Sequence, residues 1–254
     1  MEKTLFIDAH AHLFEDKIDK NFIDLSGMEA VIVSAYKREN LHTALDFCIS
    51  NNKYFCTLGI HPEFANEYDL AVQNMIEFES KNIVAIGEIG LDITYSMQYN
   101  TQISTLLAQL DLAEKLNLPI VVHLRKKQDF VTFFDCIKGR NLRGMLHCFN
   151  GDNEDLAHAL DLGLYISFAG NITYKGNENL RKLAKNVPFS RLLIESDCPS
   201  MLPAQFMRKG INLPQNVQFV AEKLADIFGV DTSKIANVTK ENAKKLFNLQ
   251  MEQI

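Results

Sequence analysis

The side chains best suited to chemistry begin at Asp8-Ala9-His10-Ala11-His12, directly after the apolar run Leu5-Phe6-Ile7. Such a run makes a buried strand, and alternation sends His10 and His12 to the same side, about 7 Å apart along the chain. Both imidazoles can then turn onto one cation, although two histidines alone are half a metal site and serve equally well as surface decoration. Other apolar runs supply what is missing. Ile83-Val84-Ala85-Ile86 leads to Glu88, Pro119-Ile120-Val121-Val122 to His123, Gly144-Met145-Leu146 to His147, and Arg191-Leu192-Leu193-Ile194 to Asp197. Four imidazoles and two carboxylates meeting at one place would be a costly set of buried polar groups unless cations compensated them. Nitrogen and carboxylate ligands without thiolate suit Zn²⁺, Mn²⁺ or a similar first-row ion, and Mg²⁺ where water completes the shell. One catalytic ion usually takes three protein ligands, so this set suits two divalent ions sharing a bridge.

Bringing those residues together requires strands whose ends converge. With Ala30-Val31-Ile32-Val33, Tyr54-Phe55-Cys56-Thr57-Leu58 and Leu164-Tyr165-Ile166-Ser167-Phe168, there are eight apolar runs, none with strict polar alternation, as parallel strands buried on both faces require. Between them, helical spacing is clearest over 98–116, where Ile103, Leu106, Leu107, Leu110 and Ala113 form one stripe before Asn117 and Pro119. Further helices are expected near 40–50, 69–79, 129–137, 154–162 and 179–186. Repetition of strand and helix without a Pro, Gly or Ser linker favours a single (β/α)8 barrel of the TIM type over 1–254, rather than two domains. An open doubly wound sheet is the alternative, but no G-x-G-x-x-G follows the first strand. In a barrel the reactive residues stand at the C-terminal strand ends, which also places His61 at the mouth. His42 and His158 fall on expected helices and should face solvent. After the eighth run, Val217, Val220, Leu224 and Ile227 form a helical stripe with Gly229 as C-cap, and Thr239 is expected to N-cap a last helix through Phe247. Both helices should pack outside or beneath the barrel.

The chain has 254 residues, 47% of them hydrophobic, enough for a substantial core. It contains no signal-peptide core and no apolar run long enough for a membrane span, so a soluble, cytoplasmic protein is expected. Five scattered cysteines without C-x-x-C read as reduced thiols. Cys148 and Cys198 directly follow site residues, and strand alternation should turn them to the opposite face. The formal net charge of −6 argues against coating long duplex DNA, but an enzyme gripping one phosphate through metal ions needs only a small basic patch.

Several segments, in this order and spacing, resemble the TatD family of metal-dependent deoxyribonucleases, within the amidohydrolase-like metal hydrolases. They are Asp8-Ala9-His10-Ala11-His12-Leu13, Gly59-Ile60-His61-Pro62, Gly87-Glu88-Ile89-Gly90-Leu91-Asp92, Leu118-Pro119-Ile120-Val121-Val122-His123-Leu124-Arg125, Leu146-His147-Cys148-Phe149, Ile166-Ser167-Phe168-Ala169-Gly170, Glu195-Ser196-Asp197-Cys198-Pro199 and Asn242-Ala243-Lys244-Lys245-Leu246-Phe247. The resemblance covers essentially the whole chain. It implies a somewhat distorted barrel with two metals, in which His10, His12 and Asp197 hold one ion, His123 and His147 the other, and Glu88 bridges them. The stretch 200–214 follows the family only loosely, which bears on substrate preference and leaves the metal ligands untouched.

Hydrolysis of a phosphodiester by metal-activated water then needs a proton acceptor, and Asp197 is placed for it. Glu195, two residues earlier on the same face, should anchor a ligand histidine or belong to the proton path, the anchor role being favoured. His61 is expected to contact the scissile phosphate or to cap the third strand. Arg125 and Lys175 are candidate phosphate clamps, whereas Lys126 and Lys127 fit a solvated charge cluster. Phe14, Phe64, Phe149 and Tyr174 follow strand ends and either stack unpaired bases or pack the rim. The resemblance and the low positive charge together point to single-stranded DNA, attacked at or near its 3′ end, as substrate. A hydrolase of a small amide, lactone or nucleobase is the alternative. A barrel that binds without turnover is disfavoured because no ligand position is missing, and nothing calls for a membrane or an obligate protein partner.

Overall fold

The computed structural model describes residues 4–15, 17–207 and 210–250. Arg208 and Lys209, in the divergent stretch 200–214, lie outside the described residues. The apolar runs form eight parallel strands: β1 (Phe6–Ala11), β2 (Met28–Ser34), β3 (Tyr54–Leu58), β4 (Ile83–Leu91), β5 (Ile120–Leu124), β6 (Gly144–Leu146), β7 (Tyr165–Phe168) and β8 (Leu192–Ile194). They pair in sequence order, the arrangement of a TIM-type barrel. Among the described residues, helices follow every strand but the first: α1 (Leu41–Ile49), α2 (Leu70–Phe78), α3 (Tyr99–Leu116), α4 (Lys127–Ile137), α5 (Asn153–Asp161), α6 (Glu178–Ala184), and after β8 both α7 (Val217–Phe228) and α8 (Thr232–Phe247). A short 3₁₀ turn, Lys20–Phe22, stands where a helix would join β1 to β2.

Local chemistry explains the boundaries. Asp69 starts α2 by accepting from the Val72 N–H at 3.0 Å, and Asp152 starts α5 by accepting from Glu154 and Asp155. Asn117 ends α3 in the left-handed region at φ 53°, and Gly229 ends α7 at φ 67°. Thr239 does not begin the last helix, which starts at Thr232 behind Asp231. Instead it sits buried inside α8 and its hydroxyl donates to the Ile235 carbonyl at 2.9 Å, the back-bonding that Thr uses in a helix interior.

Two apolar layers result. The outer one lies between strands and helices. The inner one fills the barrel with Ile7, Ala30, Ile32, Ala85, Val121, Met145, Tyr165 and Leu193, and Ala243, Leu246 and Phe247 of α8 close it from beneath. Truncating Phe247 to Ala would cost about 3–5 kcal/mol, the usual range for a buried aromatic. Among the described residues no helix is long and apolar enough to cross a membrane, and all five cysteines are free.

Two bulges aim the strand ends. Asp8 pairs with Val31 but Ala11 with Val33, and Ile86 pairs with Ile120 but Ile89 with Val122, so β1 and β4 each carry one extra residue. In β1, Ile7 faces the inner layer; plain alternation would then turn His10 and His12 outward with Asp8. The bulge reverses the facing, and Ala11 joins the outer layer instead. Ala85 and Glu88 on β4 behave in the same way. Gly90 follows at φ 148°, and a Cβ there would collide with the His123 carbonyl, so only glycine lets β4 approach β5 this closely.

The segment after β8 closes the β8–β1 seam. Asp197 N donates to the His10 carbonyl at 3.0 Å, His12 N donates to the Cys198 carbonyl at 2.8 Å, and Ser196 N donates to Asp8 Oδ1 at 2.8 Å. The divergent loop is tied down by Asn212, whose Nδ2 donates to the Ser196 and Ser200 carbonyls at 2.7 and 2.8 Å.

Candidate metal centre

All six residues marked as metal ligands meet at the C-terminal mouth of the barrel. Glu88 stands at the centre, and its two oxygens face different partners. Oε2 lies 3.4 Å from both His10 Nε2 and His12 Nε2, whereas Oε1 lies 3.0 Å from His123 Nδ1 and 2.9 Å from His147 Nε2. Asp197 Oδ1 stands 3.8 Å from each of the first two nitrogens. Within each pair the imidazole nitrogens approach to 3.1 Å.

Proton placement shows what those nitrogens are for. His12 Nδ1 donates to the Ser34 carbonyl at 2.8 Å, which leaves Nε2 as a bare lone pair. Thr57 Oγ1 donates to the Gly87 carbonyl at 2.9 Å; with that proton committed, Ser34 Oγ–H is left to donate to Thr57 and His10 Nδ1–H to Ser34 Oγ, 3.0 Å away. On the other side His147 Nδ1 donates to Glu195 Oε1 at 3.2 Å and His123 Nε2 donates to Asp92 Oδ2 at 3.3 Å. With the rings neutral, each pair therefore turns two lone pairs on one another at hydrogen-bond distance, and only a cation or an added proton can sit between them. That arrangement is repulsive alone and favourable around a cation, because nitrogens bound to one ion at 2.0–2.1 Å stand about 3.0–3.4 Å apart. The donor set fits divalent cations.

The electrostatics agree. Burial alone would raise the Glu88 carboxyl, but His147 and the other imidazoles around it hold it well below the usual carboxylate range. Burial pulls His12 down, yet the Glu88 and Asp197 carboxylates carry it up to about 9. In the ion-free protein a proton thus supplies the positive charge that the carboxylates demand. Burial pushes the Asp197 carboxyl up, against the pull of His147, His10 and His12.

His61 differs from the four other imidazoles at the mouth. Its Nδ1 accepts from the Glu63 N–H at 3.2 Å, capping the 3₁₀ turn Pro62–Glu67, so the proton of the neutral ring sits on Nε2, 3.6 Å from Glu88 Oε1. Burial lowers its pKa to about 3 and keeps the ring neutral. His61, Glu88 and His123 are close enough to form a third ligand cluster, but this tautomer makes His61 a hydrogen-bond donor into the mouth.

Among the other residues singled out, Glu195 anchors both His147 and the Cys148 N–H, the latter at 2.7 Å. Arg125 is exposed on a mouth cavity of about 260 Å³ shared with Tyr36, Tyr95 and Asp197. Lys175 is exposed and lines no described cavity at the mouth, and Lys127 pairs with Asp152, Glu154 and Asp155. His42 and His158 are exposed on their helices. Phe14 and Phe64 surround Tyr36 at 6.4 and 5.8 Å, forming an aromatic wall. Phe149 is no rim residue: it is buried edge-on against Phe130 and Phe168. Cys148, expected on the opposite face, has φ 41° and lines a cavity beside His147; this left-handed residue breaks strand alternation. Sequence reasoning missed the anchors Asp92, Ser34 and Thr57 and the mouth residue Tyr36, whose hydroxyl donates to Glu15 at 3.0 Å. Asp92 had a usable signal, since it stands four residues after Glu88, directly past the end of the same strand.

Comparison with known proteins places this geometry. The family described as "TatD related DNase" matches residues 7–248. The Bacillus subtilis protein named "uncharacterized metal-dependent hydrolase YabD" is 32% identical over 256 residues, covering 96% of this chain and all of that protein. The "3'-5' ssDNA/RNA exonuclease TatD" of Pantoea ananatis is 31% identical over 212 residues, or 80% of this chain and 79% of its own. The crystal structure of YjjV, a TatD homologue from Escherichia coli, superposes with a TM-score of 0.88 at 25% identity, covering 98% of this chain and 100% of that one. With a matching family over nearly its whole length and a mouth of converging histidines and carboxylates, this chain belongs to the TatD family of metal-dependent hydrolases.

Proposed function

We propose that residues 1–254 form one hydrolase domain that cleaves phosphodiesters of single-stranded DNA from the 3′ end, using two divalent cations (Mg²⁺, Mn²⁺ or Zn²⁺). The observation that carries this reading is the split of Glu88, one oxygen to each pair of lone-pair nitrogens. His10, His12 and Asp197 would hold one cation, His123 and His147 the other, and Glu88 both. Cations there would offset negative charge on a phosphoryl oxygen and bring the pKa of a water toward neutrality.

The chain's own residues do the rest. Asp197, at the mouth with its carboxyl raised by burial, accepts the proton of the attacking water as the bond to phosphorus forms and the ester bond to the 3′-oxygen breaks, and the departing 3′-oxygen takes a proton from solvent to become the new 3′-hydroxyl. His61 offers its Nε2–H to a non-bridging oxygen. The Arg125 guanidinium has no hydrogen-bond or ion-pair partner among the described residues and is free to clamp a neighbouring phosphate. Tyr36, Phe14 and Phe64 provide ring faces for an unpaired base. The names of relatives such as the Pantoea exonuclease support a nucleic-acid substrate. Five free cysteines support a reducing, cytoplasmic setting.

The test is degradation of 5′-labelled single-stranded DNA with each metal. A ladder shortening from the 3′ end, weakly dependent on salt because few phosphates are neutralised, is the expected result. Intact DNA alongside turnover of small amides, lactones or nucleobases would replace this reading with the amidohydrolase alternative.

A further inference from the structure

On the His123–His147 side of the mouth lies a second cavity, of about 380 Å³, in the size range of small-molecule sites. His123, Arg125, His147, Asp197 and Met201 line both it and the mouth, so the two spaces adjoin. Its other walls include Cys148, Asn150, Asn171, Tyr174 and Asn177. Asn171 arrives on the 3₁₀ turn Gly170–Thr173 after β7, Asn177 leads into α6, and Asn150 comes after β6.

The hydrogen bonding of these groups is half spent. Asn171 Nδ2 points to Cys148 Sγ at 3.6 Å, and Asn177 Nδ2 donates to the Asn171 carbonyl at 2.8 Å. The opposite ends of both amides are unused: Asn171 Oδ1 is buried without any partner, and Asn177 Oδ1 has none among the described residues. Arg125, the Asn150 amide and the Tyr174 hydroxyl likewise have no side-chain partner there. A buried acceptor left unpaired costs about 1–3 kcal/mol, so a native structure calls for something to fill it.

The chemistry of the missing group can be narrowed. A phosphate would find donors at Arg125, Tyr174 and the Asn150 amide but would set its negative oxygens against the spare oxygens of Asn171 and Asn177, and an aliphatic group would leave every one of them unsatisfied. A flat, neutral group with donors and acceptors along its edge meets the amides while Arg125 stays with the phosphate, and its face can stack on Tyr174. We propose that this cavity seats the nucleobase of a nucleotide whose phosphate lies at the metal centre. The proposal rests on the nucleic-acid reading above and adds that the base is held by hydrogen bonds to side-chain amides.

Binding of reaction products tests it without relying on turnover. Calorimetry on the Mn²⁺-loaded protein would compare the four 2′-deoxynucleoside 5′-monophosphates with 2-deoxyribose 5-phosphate, which lacks the base. In the natural protein the base should tighten binding about tenfold or more. Asn171→Leu should shrink that advantage to within about twofold, and Asn150→Ala, at an exposed residue with no partner to lose, should reduce it about threefold. Metal content and Tm are read alongside; if Asn171→Leu loses either, Asn150→Ala decides. Equal affinity for nucleotide and sugar phosphate, or a base advantage retained in the folded, metal-loaded variants, overturns the subsite. If 3′ shortening of DNA persists in that case, the nuclease reading stands. If the natural protein binds neither probe and leaves DNA intact, both fall.

Discussion

The two imidazole pairs that share Glu88 use the same side chain and anchor it in opposite ways. His10 and His12 come from one strand and lean on neutral groups, the Ser34 hydroxyl and carbonyl, while a carboxylate, Asp197, faces their nitrogens. His123 and His147 come from adjacent strands and have carboxylates behind them, Asp92 and Glu195. A carboxylate behind an imidazole makes its far nitrogen a stronger donor, so the second pair gains in basicity what it lacks in direct negative charge. The consequence is a division of labour. Asp92 and Glu195 are committed to holding rings, whereas the Asp197 carboxylate holds none, which suits the proton-accepting role proposed for it.

The largest effect should come from the residue both halves share. Glu88→Gln is expected to lower turnover about 10³-fold or more and to reduce uptake at both positions, since it removes the one charge between them. Activity near that of the natural protein in a metal-loaded Glu88→Gln variant would break the comparison at its centre. Asp197→Asn should cost about 10²–10⁴-fold in turnover while the His123–His147 half keeps its ion, a split that elemental analysis can read. Neither residue belongs to an apolar layer, so both variants should melt as cooperatively as the natural protein.

The anchors come next. Glu195→Gln or Asp92→Asn should weaken metal binding about 10–100-fold. Ser34→Ala should weaken it less, because the His12 bond runs to the backbone carbonyl and survives the substitution. Equal losses from Ser34→Ala and Glu195→Gln, measured by competition with a chelator, would erase the distinction between the halves.

Proton competition gives the smallest effect. His12 in the ion-free protein is raised from 6.5 to about 9, so its charge favours the folded state fully below pH 6.5 and that contribution disappears as pH rises through about 9. A cation must displace this proton. Apparent metal affinity should therefore climb with pH, by at most about tenfold per unit for one proton, and level off above pH 9. A flat profile between pH 7 and 9 would show that His12 carries no such proton.

How far the sequence could be read depended on the scale of each feature. Strand ends followed by His or a carboxylate revealed the barrel and its six central residues, because parallel strands must be apolar along their length and a barrel gathers their ends. Helix limits emerged within two residues wherever Asp69, Asn117 or Gly229 punctuated them. What stayed hidden was facing. The bulges at β1 and β4 add one residue each and turn His10, His12, Glu88 and Asp92 inward, and no residue type announces them. Cys148 and Phe149 were misplaced for a related reason, since one left-handed residue redirects both side chains. Thr239 was misread because its hydroxyl serves a helix interior as well as a helix start.

Crystals grown with Mn²⁺ and measured at its absorption edge test the central claim most directly. Two anomalous peaks are expected, one on each side of Glu88, the first against His10, His12 and Asp197 and the second against His123 and His147. A single peak, no peak, or a peak coordinated by His61 Nε2 would contradict the proposed two-cation centre.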